Sequence, residues 1–242
     1  MRPITRIGHK GADMIAPGNT PASFDAALAA GVHMIEFDVL PENLDDPEGS
    51  ALRLAHDYTH DVAGSPTLDE GLDHLASKAF ADIELDVDLK APGYEARVAR
   101  ALRQRGLIER TLVSTQYMRS LIVLRELEPT LRLGWSVPRV RKDYTSNWLI
   151  KLPALSALLY MRRRLPRIAA AHMAAGRCDA VMAHFKLVTP QLVAAIREAG
   201  GELYVWTVDD AERIRSLVAM GVTGVITNYP RLFHVIEQVA AE

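Results

Sequence analysis

Residues 192–227, LVAAIREAGGELYVWTVDDAERIRSLVAMGVTGVIT, decide the fold, because two copies of one unit follow each other there without a break. Residues 192–199 have a polar-apolar helical pattern, Gly200 follows, and residues 203–208 are rich in β-branched, aliphatic and aromatic side chains. Residues 211–220, Gly221 and residues 222–227 repeat that order. A glycine just past a helix supplies the left-handed conformation that ends it, and a short apolar run of this composition reads as a buried strand. Outward from this stretch, the same helix, glycine, strand order recurs around Gly31 and around Gly106. Start signals agree. Thr20-Pro21 and Thr189-Pro190 each set a capping hydroxyl before a proline at the first helical position, and Thr67 with Glu70 is a capping box.

Strands are expected at 4–9, 33–40, 82–90, 111–115, 131–136, 179–184, 203–208 and 222–227, with an extra strand at 52–56. Each of the eight is followed by a helical pattern, which predicts an α/β fold, a closed parallel (β/α)8 TIM barrel. An open doubly wound sheet is the alternative, and no glycine-rich dinucleotide fingerprint supports it. The 242 residues match the usual length of one barrel, so 1–242 is read as a single domain. A formal net charge of -2 with interspersed signs gives no reason to expect nucleic acid. Cys178 is the lone cysteine, which excludes an intramolecular disulfide framework, and the first residues lack the apolar stretch of a signal peptide. A cytoplasmic location is the expectation.

Met34-Ile35-Glu36-Phe37-Asp38-Val39 is a core-like strand carrying two carboxylates. Side chains alternate, so Ile35, Phe37 and Val39 face one way while Glu36 and Asp38 face the other, roughly 6.5–7 Å apart by strand rise. Buried without compensation, one of them must take up a proton, and a divalent cation resolves the conflict. An exposed acidic face is the plainer reading. The third strand repeats the pattern, with Ile83, Leu85, Val87 and Leu89 opposite Glu84, Asp86, Asp88 and Lys90. Two adjacent acidic faces make a hard, oxygen-rich site that suits Mg²⁺ or Ca²⁺ better than zinc. Glu84 and Asp86 lie deeper and read as hydrogen-bonded or paired groups rather than ligands.

In a parallel barrel the reactive residues gather at the carboxyl ends of the strands. His9 ends the first strand, Glu36 and Asp38 the second, His56 the extra one, and Asp88 with Lys90 the third. His9 and His56 at that rim form the pair that acid/base chemistry near neutral pH needs, and Lys10 and Lys90 supply positive charge for an anionic substrate. His33, His60, His74, His172 and His234 read as structural or exposed.

These residues resemble the glycerophosphodiester phosphodiesterase family from the first strand to the last. The family's His-Arg-Gly and Pro-Glu-Asn-Thr correspond to His9-Lys10-Gly11 and Pro17-Gly18-Asn19-Thr20, and its Glu-x-Asp-Val to Glu36-Phe37-Asp38-Val39. His-Asp corresponds to His56-Asp57 and Glu-x-Lys to Asp88-Leu89-Lys90. Toward the C-terminus, Trp-Thr and Thr-Asp-x-Pro correspond to Trp206-Thr207 and Thr227-Asn228-Tyr229-Pro230. The resemblance implies metal-dependent hydrolysis of small-molecule glycerophosphodiesters to sn-glycerol 3-phosphate and an alcohol, a role in lipid and glycerol metabolism. It implies one divalent cation held by Glu36, Asp38 and Asp88, His9 and His56 as catalytic acid and base, and Lys10, Lys90 and Trp206 against the substrate.

Three departures stand out. Lys10 replaces arginine and loses its bidentate fork, Asp88 is one methylene shorter than glutamate, and Gly18 replaces the glutamate of the opening turn, removing an acid near the site. Aligning Glu84 instead of Asp88 puts Asp86 where lysine belongs, so Asp88 with Lys90 is preferred. The connection 139–177 is too long for an ordinary barrel loop, and reads as a lid or as the expected helix lengthened by an extra segment. Its apolar run from Trp148 to Tyr160 and its Arg162-Arg163-Arg164 make membrane contact through an interfacial helix the lesser expectation. Two alternatives accompany the diesterase reading: a lysophospholipase D-like hydrolase acting on lipid diesters, and a barrel that binds phosphodiesters without turning them over.

Overall fold

Threonine hydroxyls open three of the helices and left-handed glycines follow several, local signals that divide the chain into alternating elements. A computed structural model covers residues 4–59, 61–138 and 151–239. Its elements run β1 (Thr5–Gly8), α1 (Pro21–Ala29), β2 (Met34–Pro41), β3 (Leu52–Arg53), α2 (Leu68–Leu75), β4 (Glu84–Leu89), α3 (Glu95–Gln104) and β5 (Thr111–Thr115). They continue with α4 (Met118–Leu127), β6 (Arg132–Val137), α5 (Lys151–Ala174), β7 (Ala180–His184), α6 (Pro190–Glu198), β8 (Glu202–Trp206), α7 (Ala211–Met220), β9 (Gly224–Thr227) and α8 (Leu232–Val239). Thr20 and Thr67 form capping boxes with Ser23 and Glu70, and Thr189 accepts from the Leu192 amide. Gly31, Gly106, Gly200 and Gly221 follow their helices at φ of 66–86°. No side chain with a Cβ occupies that region without strain.

Eight parallel strands close into a barrel in the order β1-β9-β8-β7-β6-β5-β4-β2, because β1 pairs in parallel with both β9 and β2. An open sheet is thereby excluded. The outer faces of the strands and the inner faces of the helices share one apolar shell, in which Phe24, Phe37, Leu72, Val87, Leu121 and Ile214 are fully buried. A second, smaller cluster fills the barrel itself: Ile7, Met34, Leu112, Ala180, Met182, Tyr204 and Ile226. At the amino ends of the strands the interior is closed by Arg132. Its guanidinium donates to Glu84 Oε2 at 2.9 Å, to Glu202 Oε2 at 2.8 Å and to the Tyr204 hydroxyl at 2.9 Å. Glu84 is therefore a paired group at the closed end of the barrel, as expected for a residue set deeper than the rim.

One expectation is revised. The extra strand is only Leu52–Arg53, antiparallel to the end of β2, because the Leu54 amide turns away to the Pro66 carbonyl. His56 accordingly sits in the following loop rather than at a strand end. In the long connection, the described part is a lengthened helix: α5 has 24 residues against 8–10 for the other helices. Leu165, Ala169 and Met173 seat its second half on the barrel at four-residue spacing. Trp148, Leu149 and Ile150 lie outside the described residues, as does His60. Among the described residues no helix is long and apolar enough to cross a membrane.

Replacing Arg132 by leucine should lower unfolding stability by about 1–3 kcal/mol, the usual loss when hydrogen bonds to charged groups are removed and their partners remain. Urea unfolding checks this. An unchanged midpoint would mean that Glu84 and Glu202 are solvated without the guanidinium.

Candidate active site

The site begins with strand register. β2 and β4 are neighbours in parallel, with Glu36 opposite Asp86 and Asp38 opposite Asp88, so four inward carboxylates form a two-by-two array. Glu36 is 4% exposed and Asp38 fully buried. One oxygen each from Glu36, Asp38 and Asp88 lies within 4.8 Å of the other two. Lys90, which follows β4, brings its ammonium to 2.5 Å from both Asp38 Oδ1 and Asp88 Oδ2.

The loop after β1 wraps this array with its backbone. Lys10 (φ 51°) and Gly11 (φ 83°) turn the chain, so the Lys10 amide donates to Glu36 Oε2 at 2.8 Å and the Gly11 amide to the Glu36 carbonyl at 3.1 Å. Asn19, also left-handed at φ 59°, clamps Asp38 from both sides. Its Nδ2 donates to Asp38 Oδ2 at 2.9 Å, and its Oδ1 accepts the Asp38 amide at 3.0 Å. In the sequence Asn19 stood only as part of a turn motif. The usable signal was chemical, since asparagine tolerates left-handed backbone better than most residues and its amide both donates and accepts.

Too many negative charges share too little solvent. Burial, then the Asp38 carboxylate, raises the Glu36 carboxyl well above its usual range. Burial also opposes ionisation of Asp38, but Lys90 and His56 outweigh it and hold that carboxyl well below the usual range. For Lys90, burial works against the charge and is overcome by Asp38, Asp88 and Glu36, so the ammonium stays protonated. Asp86 is pushed up to about 8 by burial and by Asp88, against a hydrogen bond from the Ser114 side chain. Asp88 Oδ1 is buried without a hydrogen-bond partner. A proton demanded by Glu36, an orphaned lone pair on Asp88 and three hard oxygens at ligating separation fit a divalent cation of the Mg²⁺ or Ca²⁺ kind.

Both rim histidines reach this array. His56 Nδ1 donates to Asp38 Oδ2 at 3.1 Å, leaving Nε2 on an imidazole 51% exposed. His9 Nδ1 lies 2.5 Å from Asn228 Oδ1, and its Nε2 is 3.8 Å from Glu36 Oε2. Asp209 decides which atoms face which. It accepts Asn228 Nδ2 at 2.7 Å and the Asn228 amide at 2.8 Å, so only Oδ1 of Asn228 remains for His9. His9 therefore donates through Nδ1 and presents the Nε2 lone pair to the acids. Burial, only partly countered by Asp38, lowers the His9 pKa and keeps the ring neutral near pH 7. Asn228 entered the sequence reading only as part of a motif, and Asp209 not at all, because their link to His9 spans the barrel closure.

The remaining candidates are on the same rim but not in the cluster. Lys10 points its ammonium at Asp13 Oδ2, 3.4 Å away. Asp13 also occupies the space that a side chain at position 18 would need: its Oδ1 accepts the Gly18 amide at 3.0 Å, and a Cβ on Gly18 would lie 2.4 Å from it. Asp13, five residues earlier, thus sets a carboxylate beside the position where the resembled family's opening turn carries glutamate. Trp206 ends β8, donates to the Met182 carbonyl at 2.8 Å and meets His184 edge-on at 5.1 Å. His184, at the end of β7, was passed over as a strand terminus, although a histidine in that position met the rim criterion applied to His9.

With this geometry in hand, the relatives can be compared. The model of the glycerophosphoryl diester phosphodiesterase family matches residues 54–232, which is 179 of the 242 residues. A glycerophosphodiester phosphodiesterase of Caldanaerobacter subterraneus is 24% identical over 257 aligned positions, covering 93% of each chain. One from Bacillus subtilis is 24% identical, covering 97% of this chain and 87% of its own. Among solved structures, a glycerophosphodiester phosphodiesterase of Agrobacterium tumefaciens superposes with a TM-score of 0.71 at 20% identity, over 98% of this chain and all of that one. An Oleispira antarctica phosphodiesterase, solved in complex with the product sn-glycerol-3-phosphate, gives 0.66 at 20% identity, over 98% of this chain and 96% of its own. These structures share the barrel fold.

A cation should stabilise the protein in a pH-dependent way. The Glu36 carboxyl, ordinarily near 4.5, is raised in the fold, so its contribution favours folding at low pH and is lost as pH rises through the raised value. At about pH 8, saturating Mg²⁺ or Ca²⁺ at roughly a hundred times its Kd should add about 2.7 kcal/mol. Toward about pH 5 the proton competes and the gain shrinks. Thermal unfolding with and without chelator reads this, and Asp38→Asn should reduce the gain at either pH. Equal gains in that variant and the unmutated protein would locate the ion elsewhere.

Proposed function

The chain belongs to the glycerophosphoryl diester phosphodiesterase family, whose members are phosphoric diester hydrolases, and on that premise we propose that it cleaves glycerophosphodiesters to sn-glycerol 3-phosphate and an alcohol by two-histidine acid/base catalysis. The observation that carries this reading is the convergence of three carboxylates, Lys90 and two differently prepared imidazoles on one rim. Glu36, Asp38 and Asp88 would hold one Mg²⁺ or Ca²⁺, which when bound polarises a phosphoryl oxygen and favours deprotonation of the attacking hydroxyl. The presence of sn-glycerol-3-phosphate in the Oleispira antarctica structure supports a ligand of this class.

The chain's own residues divide the work by environment. His9 is neutral, with Nε2 unprotonated and its orientation held by Asn228 and Asp209, so it takes the proton of the attacking hydroxyl. His56, backed by the Asp38 carboxylate and open to solvent, delivers a proton from Nε2 to the departing alkoxide at the mouth. Lys90 stays charged and offsets the negative charge gathering on phosphorus. Lys10 adds a second positive charge at the rim, and Trp206 walls the opposite side of the mouth. The attack breaks the bond between phosphorus and the head-group oxygen, and the proton lost by the nucleophile is matched by the one gained by the alcohol.

A panel of glycerophosphodiesters, with and without chelator, tests the reading by release of glycerol 3-phosphate and free head group. Binding without turnover for every diester would favour a phosphodiester-binding barrel, and turnover confined to lysophospholipids a lipid-specific hydrolase. His56→Ala should fold normally and lose roughly 10²-fold or more in turnover. Its rate should still fall on the acid side, because His9 must be neutral to act and its lowered pKa places that limb below 6.5. Turnover near that of the unmutated protein would remove His56 from the reaction.

A further inference from the structure

The outer face of α5 combines features that the barrel does not need. Leu165, Ala169 and Met173 face inward, which leaves Leu159, Tyr160, Arg163, Arg164, Arg167 and Ile168 as one outward stripe. Leu159 is 54% and Tyr160 63% exposed. Arg163, Arg164 and Arg167 are exposed and make no ion pair among the described residues. Arg164 instead lies over the Tyr160 ring, 5.6 Å from its centroid. The sequence has no acidic residue from 144 to 178, although acids outnumber bases over the whole chain, 30 to 28. A contiguous positive stripe on a net negative protein is selective for the sign of its partner.

Its position is also defined. Arg162 Nε donates at 2.8 Å to the carbonyl of Lys186, in the turn directly after β7. That turn belongs to the carboxyl-end rim, so Leu159 and Tyr160 stand at the level of the active-site mouth and the arginines just below it. From Leu159 to Ile168 the stripe spans about 14 Å at 1.5 Å per residue. The loop between β2 and β3 carries Glu42, Asp45, Asp46 and Glu48, and β2 lies four strands from β7 around the barrel. An anionic surface is therefore repelled on that side of the mouth and attracted on the α5 side.

We propose that the outward stripe of α5 docks on an anionic phospholipid bilayer, with Leu159 and Tyr160 entering the head-group layer and Arg163, Arg164 and Arg167 lying against lipid phosphates. Aliphatic and aromatic tips with arginines along one helical face are the composition of interfacial helices, and arginine stems cover apolar surface while their guanidinium groups stay with the phosphates. Docking holds the mouth beside the lipid surface. The inference does not depend on catalysis, because its test is binding.

The test is sedimentation of the full chain with vesicles of phosphatidylcholine alone and with about a third phosphatidylglycerol. The protein should sediment only with the anionic vesicles and be released at about 1 M salt, where the screening length falls to about 3 Å. Arg163→Glu/Arg164→Glu/Arg167→Glu should weaken binding at least about tenfold, and Leu159→Ser/Tyr160→Ser should weaken it without abolishing the salt dependence. Both variants should keep the thermal midpoint and the turnover of a water-soluble diester. Sedimentation independent of anionic lipid, absence of binding, or unchanged binding by the charge-reversed variant overturns the proposal. So does a dimer in light scattering that the variants dissociate, which would assign the stripe to a second copy of the chain.

Discussion

Repulsion among carboxylates that share the interior of one barrel is the constraint on which the rest of the site depends. Parallel pairing of β2 with β4 sets Glu36 beside Asp86 and Asp38 beside Asp88, and the strands cannot slip by one residue without turning these acids into the apolar shell and Ile35, Phe37, Val87 and Leu89 into the barrel. The charge must be balanced where it stands. Lys90 does part of this, bridging Asp38 and Asp88 from the end of the same strand that carries Asp88. The remainder raises the Glu36 carboxyl well above its usual range and pushes Asp86 up to about 8, and a divalent cation on Glu36, Asp38 and Asp88 would compete with the proton that this favours on Glu36.

That balance explains why the two histidines differ although both stand beside the same acid cluster. His56 reaches Asp38 from an open loop, while His9 is half-buried between Glu36 and Asn228. Burial disfavours the imidazolium at His9, and Asp209 selects its tautomer through the Asn228 amide. Asp209 also accepts the Thr227 hydroxyl at 2.8 Å, so the strand end that closes the barrel is the same one that orients the His9 ring. Stability and chemistry meet in a hydrogen-bond chain linking the first strand to the last two.

The two ends of the barrel are built on opposite principles. At the amino ends of the strands, one guanidinium satisfies Glu84, Glu202 and Tyr204 together. At the carboxyl ends, Asp88 retains a buried oxygen with no hydrogen-bond partner. Unsatisfied buried acceptors are unfavourable for stability, and here one lies where a ligand fits. α5 extends the same asymmetry to the surface, since Leu159 and Tyr160 in its first half stand exposed toward the carboxyl-end rim while Leu165, Ala169 and Met173 seat its second half on the barrel.

The sequence by itself determined the periodicities and the caps. Helix, glycine and strand recur because a helix needs a stop and a buried strand an apolar run, and these are local requirements visible within about ten residues. Alternation likewise exposed Glu36, Asp38 and Asp88 as misplaced in a core, and the rim rule collected His9 and Lys90. What only the tertiary structure decided is who meets whom across the barrel: Asn19 with Asp38, Asn228 and Asp209 with His9, Asp13 in the space beside Gly18, and Arg132 with two distant glutamates. The reason is physical. Hydrogen bonds and charge pairs are short-ranged and directional, so partners separated by up to 219 positions along the chain acquire their geometry only when closure of the sheet brings their strand ends together.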